Sequence, residues 1–235
     1  MMQTPRELAA VIDHTLLRPS ATSGEVEKLC SEAAAHGFKT VCVNPVLVSH
    51  AVRLLRGTSV GVCSAVGFPF GTNLATTKAH ETRESVKGGA VEIDMVIRIG
   101  ALREGDYQAV LDDIRAVVEA ADGRAVKVIL ETCYLTGKEK VRACILAVEG
   151  GASFVKTSTG YGPAGAAVED VALMRRTVGE NFGVKAAGGI RTLADAFRMI
   201  QAGADRLGTS GSVAIMEEFG GKLKRGTPID PPLQP

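Results

Sequence analysis

The chain of 235 residues has no tryptophan, and aromatic residues make up only 4% of it. A core without large rings must be filled by aliphatic side chains, which the 46% hydrophobic content supplies. An excess charge of either sign is also missing, since 27 Lys and Arg stand against 26 Asp and Glu. With a net charge of +1 there is no overall field to hold a polyanion or an anionic membrane surface, so neither nucleic-acid binding nor membrane binding is expected. The five cysteines (Cys30, Cys42, Cys63, Cys133, Cys144) are odd in number and form no C-x-x-C pair. That argues against a disulfide framework or a zinc ribbon and for the reducing cytoplasm. His14, His36, His50 and His80 lack H-x-H or H-E-x-x-H spacing, so no metal centre is expected. Arg6 and Glu7 interrupt the start of the chain, and no run approaches ~18 uncharged apolar residues, so neither a secretory signal nor a membrane span is expected.

Glycine is what the chain has in quantity, with 27 residues. Short β-branched runs near residues 13–17, 40–43, 59–66, 91–97, 125–131, 154–157, 184–187 and 206–208 alternate with segments of helical periodicity. Thr192, before Leu193, Phe197 and Ile200, reads as an N-cap. Alternation of this kind is the signature of a parallel sheet, and eight strand-helix units of about 29 residues suit an α/β chain folded as a single (β/α)8 TIM barrel. A short helix from Pro5 precedes the first strand, the domain takes in residues 1–235, and residues 220–235 are expected as a mobile tail.

An internal repeat separates this fold from its rival, an open doubly wound sheet. HGFKTVCV, GGAVEIDMV, GGASFVKTS and AGADRLGTS place Gly37, Gly89, Gly151 and Gly203 at intervals of 52, 62 and 52 residues, each about two units, as helix C-caps before the even-numbered strands. Five residues beyond each glycine stand Cys42, Asp94, Lys156 and Gly208. In an eight-stranded barrel one interior layer is filled from alternate strands, so these four positions share a layer, with Gly208 leaving space. Alternation places Glu92, Asp94 and Val96 inward on the fourth strand, Lys127, Ile129 and Glu131 on the fifth, and Lys185 on the seventh.

So many interior charges are costly unless paired, and a structural ion-pair network is one account of them, the favoured one for Lys127. Lys156 stands apart because Thr157-Ser158-Thr159-Gly160 follows it at the C-terminal end of its strand, the functional face of this architecture. A lysine attacks a carbonyl only when unprotonated. A second cation, Lys185 on the next strand, would oppose its charging by roughly 4 kcal/mol at ~4 Å and an effective dielectric of ~20. Asp94, in the same layer, is placed to move protons. Three glycine-rich turns follow the last three strands, at Thr159-Gly160, at Gly188-Gly189 with Arg191, and from Gly208 through Ser210 to Ser212. Bare amides there suit the phosphate of a small phosphorylated ligand. His14 either orients a substrate hydroxyl or caps the first strand, Cys42 fills the layer, and residues 67–71 (GFPFG) form a loop over the pocket.

DHTLL at residues 13–17, GFP at 67–69, EIDMV at 92–96, FVKTSTG at 154–160 and VKAAGGI at 184–190 resemble, in order, the deoxyribose-phosphate aldolase family. The likeness runs from about residue 12 to residue 219. It implies an aldehyde-lyase of deoxyribonucleotide catabolism that cleaves 2-deoxy-D-ribose 5-phosphate reversibly to D-glyceraldehyde 3-phosphate and acetaldehyde, by class I aldol chemistry without metal or cofactor. It further implies a homo-dimer or homo-tetramer. By the resemblance Lys156 carries the Schiff base, Asp94 relays protons and Lys185 perturbs Lys156, while Gly160, Gly188, Gly189, Arg191, Gly208 and Ser210 bind the phosphate. Some members have a lysine directly after the strand-six Thr-Gly and a C-terminal tyrosine that reaches the site; here Tyr161 takes the first position and the chain ends in DPPLQP. Two further readings stand beside it: a sugar-phosphate isomerase or lyase in which Lys156 is only an electrostatic clamp, and a binding protein without turnover.

Overall fold

The computed structural model of the chain describes residues 4–226. Strands β1 (Ile12–Leu16), β2 (Thr40–Val43), β3 (Gly61–Val66), β4 (Glu92–Val96), β5 (Ala125–Ile129), β6 (Phe154–Lys156), β7 (Gly183–Ala187) and β8 (Arg206–Thr209) pair in parallel, each with the next. β8 returns to β1 with Asp13 opposite Gly208, which closes the sheet into the expected (β/α)8 barrel. The helices are α1 (Pro5–Ala9), ahead of the first strand as expected, α2 (Ser23–His36), α3 (Val48–Leu54), α4 (Ala75–Lys87), α5 (Ile99–Glu104), α6 (Tyr107–Ala120), α7 (Gly137–Glu149), α8 (Val168–Val178), α9 (Leu193–Gln201) and α10 (Ser212–Arg225).

Strand alternation sorts the side chains into two cores. Ile93, Met95, Ile97, Val126, Val128 and Leu130 join one large apolar layer between the barrel wall and the helices. Inside the barrel the only apolar cluster among the described residues is small, made of Leu17, Cys42, Cys63 and Ala65 with Phe68 packed on it. The rest of the interior includes the charged side chains of Asp13, Asp94, Lys127 and Lys185, none of them exposed, which leaves the barrel centre available for chemistry.

Helix ends follow local rules. Thr192 caps α9 by accepting from the Asp195 amide at 3.1 Å, and Asp195 reaches back to the Thr192 amide at 3.0 Å. Gly37, Gly89, Gly151 and Gly203 all have positive φ, of 69°, 102°, 80° and 109°. Gly37 is the C-cap of its helix, whereas the caps of α4, α7 and α9 are Gly88, Gly150 and Ala202, one residue earlier, with the left-handed glycine turning the chain into the strand. The expected tail requires a correction, because residues 220–225 continue α10. Lys222, Lys224 and Arg225 suit the negative end of the helix dipole and Gly226 closes it with φ of 63°. The rest of that segment, residues 227–235, lies outside the described residues.

Candidate active site

Asp94 lies at the centre of the barrel interior, with no solvent exposure. Its Oδ2 accepts from Lys156 Nζ at 2.8 Å and from Lys185 Nζ at 2.7 Å. Its Oδ1 accepts from Lys127 Nζ at 2.9 Å and from Cys63 Sγ at 3.1 Å, and Cys42 Sγ is 4.0 Å from Oδ2. The layer read from the repeat is therefore present: Cys42, Asp94 and Lys156 meet, and a Cβ at Gly208 would come within 3.0 Å of Lys185 Cε. Gly208 is the gap that Lys185 crosses to reach Asp94.

The network extends further than the spacing indicated. Lys185 also donates to Asp13 Oδ2 at 2.5 Å, Arg206 binds Asp13 at 2.6 Å and Glu92 at 3.0 Å, and Lys127 binds Glu92 at 2.6 Å. Asp13 and Arg206 were not foreseen in the interior, and Glu92, placed inward by alternation, was not assigned a part in the cluster. Parity offered a signal, since Arg206 lies two residues before inward Gly208, but its partners are set by the closure of β8 on β1. Lys127 sits below Asp94 among three carboxylates, in keeping with the structural role favoured for it.

Burial by itself would raise the Asp94 carboxyl, yet Lys127, Lys156 and Lys185 outweigh it and hold Asp94 well below the usual carboxylate range. Asp13 is lowered to about 2 in the same way: burial opposes the shift, and Lys185, Lys127 and Arg206 impose it. For Lys185 desolvation favours the neutral amine, but Asp13 and Asp94 prevail and raise it above the ordinary lysine value. Lys185 is thus a fixed cation. The expectation of a bare ammonium beside Lys156 is amended in one respect, because one carboxylate oxygen stands between the two nitrogens and moderates their repulsion.

Lys156 is the member of the cluster that opens upward. With Thr159, Gly160, Tyr161, Gly188, Gly189, Arg191, Gly208 and Ser210 it lines a cavity of about 850 Å³ at the C-terminal ends of the strands. All six glycine, arginine and serine positions assigned to phosphate binding thus face one space, while Asp94 and Lys185 lie beneath its floor. The first turn of α10 has no side-chain cap, so its amides are available at the cavity wall. The β6 turn is held from below by Glu131, a buried residue with φ of 54° and ψ of 64°. Its carboxylate accepts from the Thr159 amide at 3.1 Å and from the Thr159 hydroxyl. Phe68, in the loop after β3, packs on the inner apolar cluster and edge-on against Tyr161. Among the described residues, Cys42, Cys63 and Asp94 are the one His, Cys, Asp or Glu group close enough to share a metal ion, within 4.8 Å. The ammonium groups of Lys127, Lys156 and Lys185 already occupy that carboxylate and oppose a cation there.

A barrel of this form, with a lysine and its buried carboxylate under a glycine-lined mouth, suits the chemistry of a carbon–carbon lyase of the aldolase class. Residues 8–219 match the model of the DeoC/LacD family aldolases, and the chain belongs to that family. It is 56% identical over 220 residues to the deoxyribose-phosphate aldolase of Carboxydothermus hydrogenoformans, covering 92% of this chain and 96% of that one. With the deoxyribose-phosphate aldolase of Thermoanaerobacter sp. (strain X514) the identity is 57% over 220 residues, covering 92% and 98%. The solved tetrameric deoxyribose phosphate aldolase of Aeropyrum pernix superposes with a TM-score of 0.87 at 34% identity, covering 92% of each chain.

Proposed function

We propose that this aldolase cleaves 2-deoxy-D-ribose 5-phosphate reversibly to D-glyceraldehyde 3-phosphate and acetaldehyde, through a Schiff base on Lys156. The carrying observation is that Lys156 alone of the cluster lysines lines the cavity, opposite turns suited to a phosphate. The neutral Lys156 amine adds to the aldehyde carbon of the open-chain sugar, and loss of water from the carbinolamine gives an iminium ion. The substrate's C3 hydroxyl gives up its proton, the C2–C3 bond breaks, and its electron pair moves into the iminium to leave an enamine and glyceraldehyde 3-phosphate. Protonation of the enamine at C2 and hydrolysis release acetaldehyde and return the amine. The iminium is the electron sink, so the reaction draws on no metal or organic cofactor.

Asp94 relays protons at Lys156, to which it is bonded at 2.8 Å. Lys185 supplies the fixed positive charge beside the nucleophile. Arg191 and the turns at Gly160, at Gly188-Gly189 and from Gly208 to Ser210 take the phosphate. The chain works as a homo-oligomer, a reading supported by the tetrameric relative from Aeropyrum pernix. Five free cysteines support a cytoplasmic location, and among the described residues no helix is long and apolar enough to cross a membrane.

The test is peptide mass spectrometry after incubation with acetaldehyde and borohydride, which reduces an imine to a stable secondary amine. One ethyl group on Lys156 is expected. An active enzyme without that adduct would make the lysine an electrostatic clamp and replace the covalent route by acid–base chemistry.

A further inference from the structure

A polar chain outside the ion cluster runs from β1 to the start of α10. His14 follows Asp13 on β1 and faces away from the barrel interior, between α2 and the start of α10. It is buried, with the Phe38 ring 5.2 Å from its own, and with Glu32 it lines the wall of the cavity. Nε2 is 2.9 Å from Glu32 Oε2 on α2, and Nδ1 is 3.0 Å from the hydroxyl of Ser212, the first residue of α10. That hydroxyl is fully buried and stands 3.1 Å from the Thr209 carbonyl as well. A histidine and a serine buried in this way cost more than the apolar side chains they displace unless their polar atoms are used.

Their position shows the use. Ser212 opens a helix of 14 residues with no side-chain cap, and Ser210, Gly211, Val213 and Ala214 around it line the cavity. The bare amides of this turn are aimed by where Ser212 sits. Thr209 Oγ1 accepts from the Gly211 amide at 2.9 Å and donates to the Ile190 carbonyl at 2.6 Å, which ties the turn to the β7 loop but not to β1. Among the described residues, His14 is the side chain that ties the first turn of α10 to the first strand. Glu32 in turn fixes the imidazole. Burial lowers the His14 value against the pull of Glu32, and the Ser212 hydroxyl has both Nδ1 and the Thr209 carbonyl within hydrogen-bond distance.

We propose that His14, oriented by Glu32, is a positioning residue for phosphate recognition, acting through Ser212 on the first turn of α10. The inference rests on the reading that this turn meets the substrate's phosphate. It adds a third role to the two open to His14 from sequence, since the ring reaches across to α10.

Three variants test it, Ser212→Ala as the mildest change, His14→Phe at similar ring volume, and the double variant, with thermal melts to confirm that each is folded. Inorganic phosphate binding is measured by calorimetry, and kcat/KM on 2-deoxyribose 5-phosphate and on unphosphorylated 2-deoxyribose. Each single variant is expected to weaken phosphate binding about tenfold, the scale of one buried hydrogen bond, and to lower the preference for the phosphorylated sugar by a similar factor. Because both act through one contact, the double variant should be no worse than the weaker-binding single. Unchanged phosphate affinity in Ser212→Ala, equal losses on both sugars, or multiplicative losses in the double variant would each overturn the proposal. A parent enzyme that binds phosphate but does not cleave the sugar phosphate would sink the aldol reading alone, because the calorimetric comparison still stands.

Discussion

Asp13 and Asp94 are buried carboxylates kept ionised by the cations around them, and this has a consequence for acid stability. Asp13 falls from 3.8 to about 2 on folding. A carboxylate lowered in the native state contributes its full stability above the unfolded value and loses it as the pH falls through the native one. For Asp13 the window runs from about pH 4 to pH 2 and the contribution is roughly 2 kcal/mol, with Asp94 shifted in the same direction. Thermal melts should show a Tm that is steady down to about pH 4 and falls below it, with a shallower fall in Asp13→Asn. A Tm that rises on acidification would contradict the ion cluster. Asp94, Lys156 and Lys185 were legible as interior groups because strand parity and the repeat depend only on local spacing. The partners of Asp13 were not, since Lys185 and Arg206 lie 172 and 193 residues away and meet it only when the barrel closes. His14 was singled out, but its link to Ser212, 198 residues away, escaped for the same reason.

Between elements, Gly208 illustrates how a missing side chain serves a site. A Cβ there would approach Lys185 Cε and Ala187 Cβ, each at 3.0 Å, and Lys185 Nζ at 3.7 Å. Gly208→Ala must push the Lys185 stem away from Asp94, and its φ is not in the left-handed region, so the backbone accepts alanine. The expected result is a kcat at least tenfold lower, about 1.4 kcal/mol in the barrier, with Tm changed by only a few degrees. Wild-type kcat in this variant would show that Lys185 need not hold its place. The positive φ of the four repeat glycines was legible, since that is what glycine supplies, although only Gly37 is itself the cap, and Thr192 was legible as an N-cap because its partner lies three residues on. Glu131 was not. Parity turned it inward, but its left-handed backbone and its hold on Thr159 carry no sequence signal, because the residue type disfavours the conformation it adopts.

Across the whole molecule the ion-paired cluster in the barrel joins three carboxylates, Asp13, Glu92 and Asp94, to four basic side chains, Lys127, Lys156, Lys185 and Arg206. Lys127, Lys185 and Arg206 alone match the three carboxylates in number, so the fold can bury this cluster without depending on the nucleophile's charge. Removing one lysine should therefore have opposite consequences in two places. Lys127→Met leaves Glu92 and Asp94 without the ammonium that stood 2.6 and 2.9 Å away, at a site with no exposure, and is expected to cost about 3–5 kcal/mol. For a chain of this size that lowers Tm by roughly 6 to 20 °C, at about 2–4 °C per kcal/mol. Lys156→Met leaves Asp94 Oδ2 still bonded to Lys185 and places an apolar stem at the cavity floor, so the protein should stay as stable as the parent while losing aldol turnover. Melting curves of the two variants separate a lysine held for the fold from one held for chemistry. Equal losses of Tm would mean that Lys156 is part of the structural network after all, and the case for its reactivity would then rest on the trapped adduct alone.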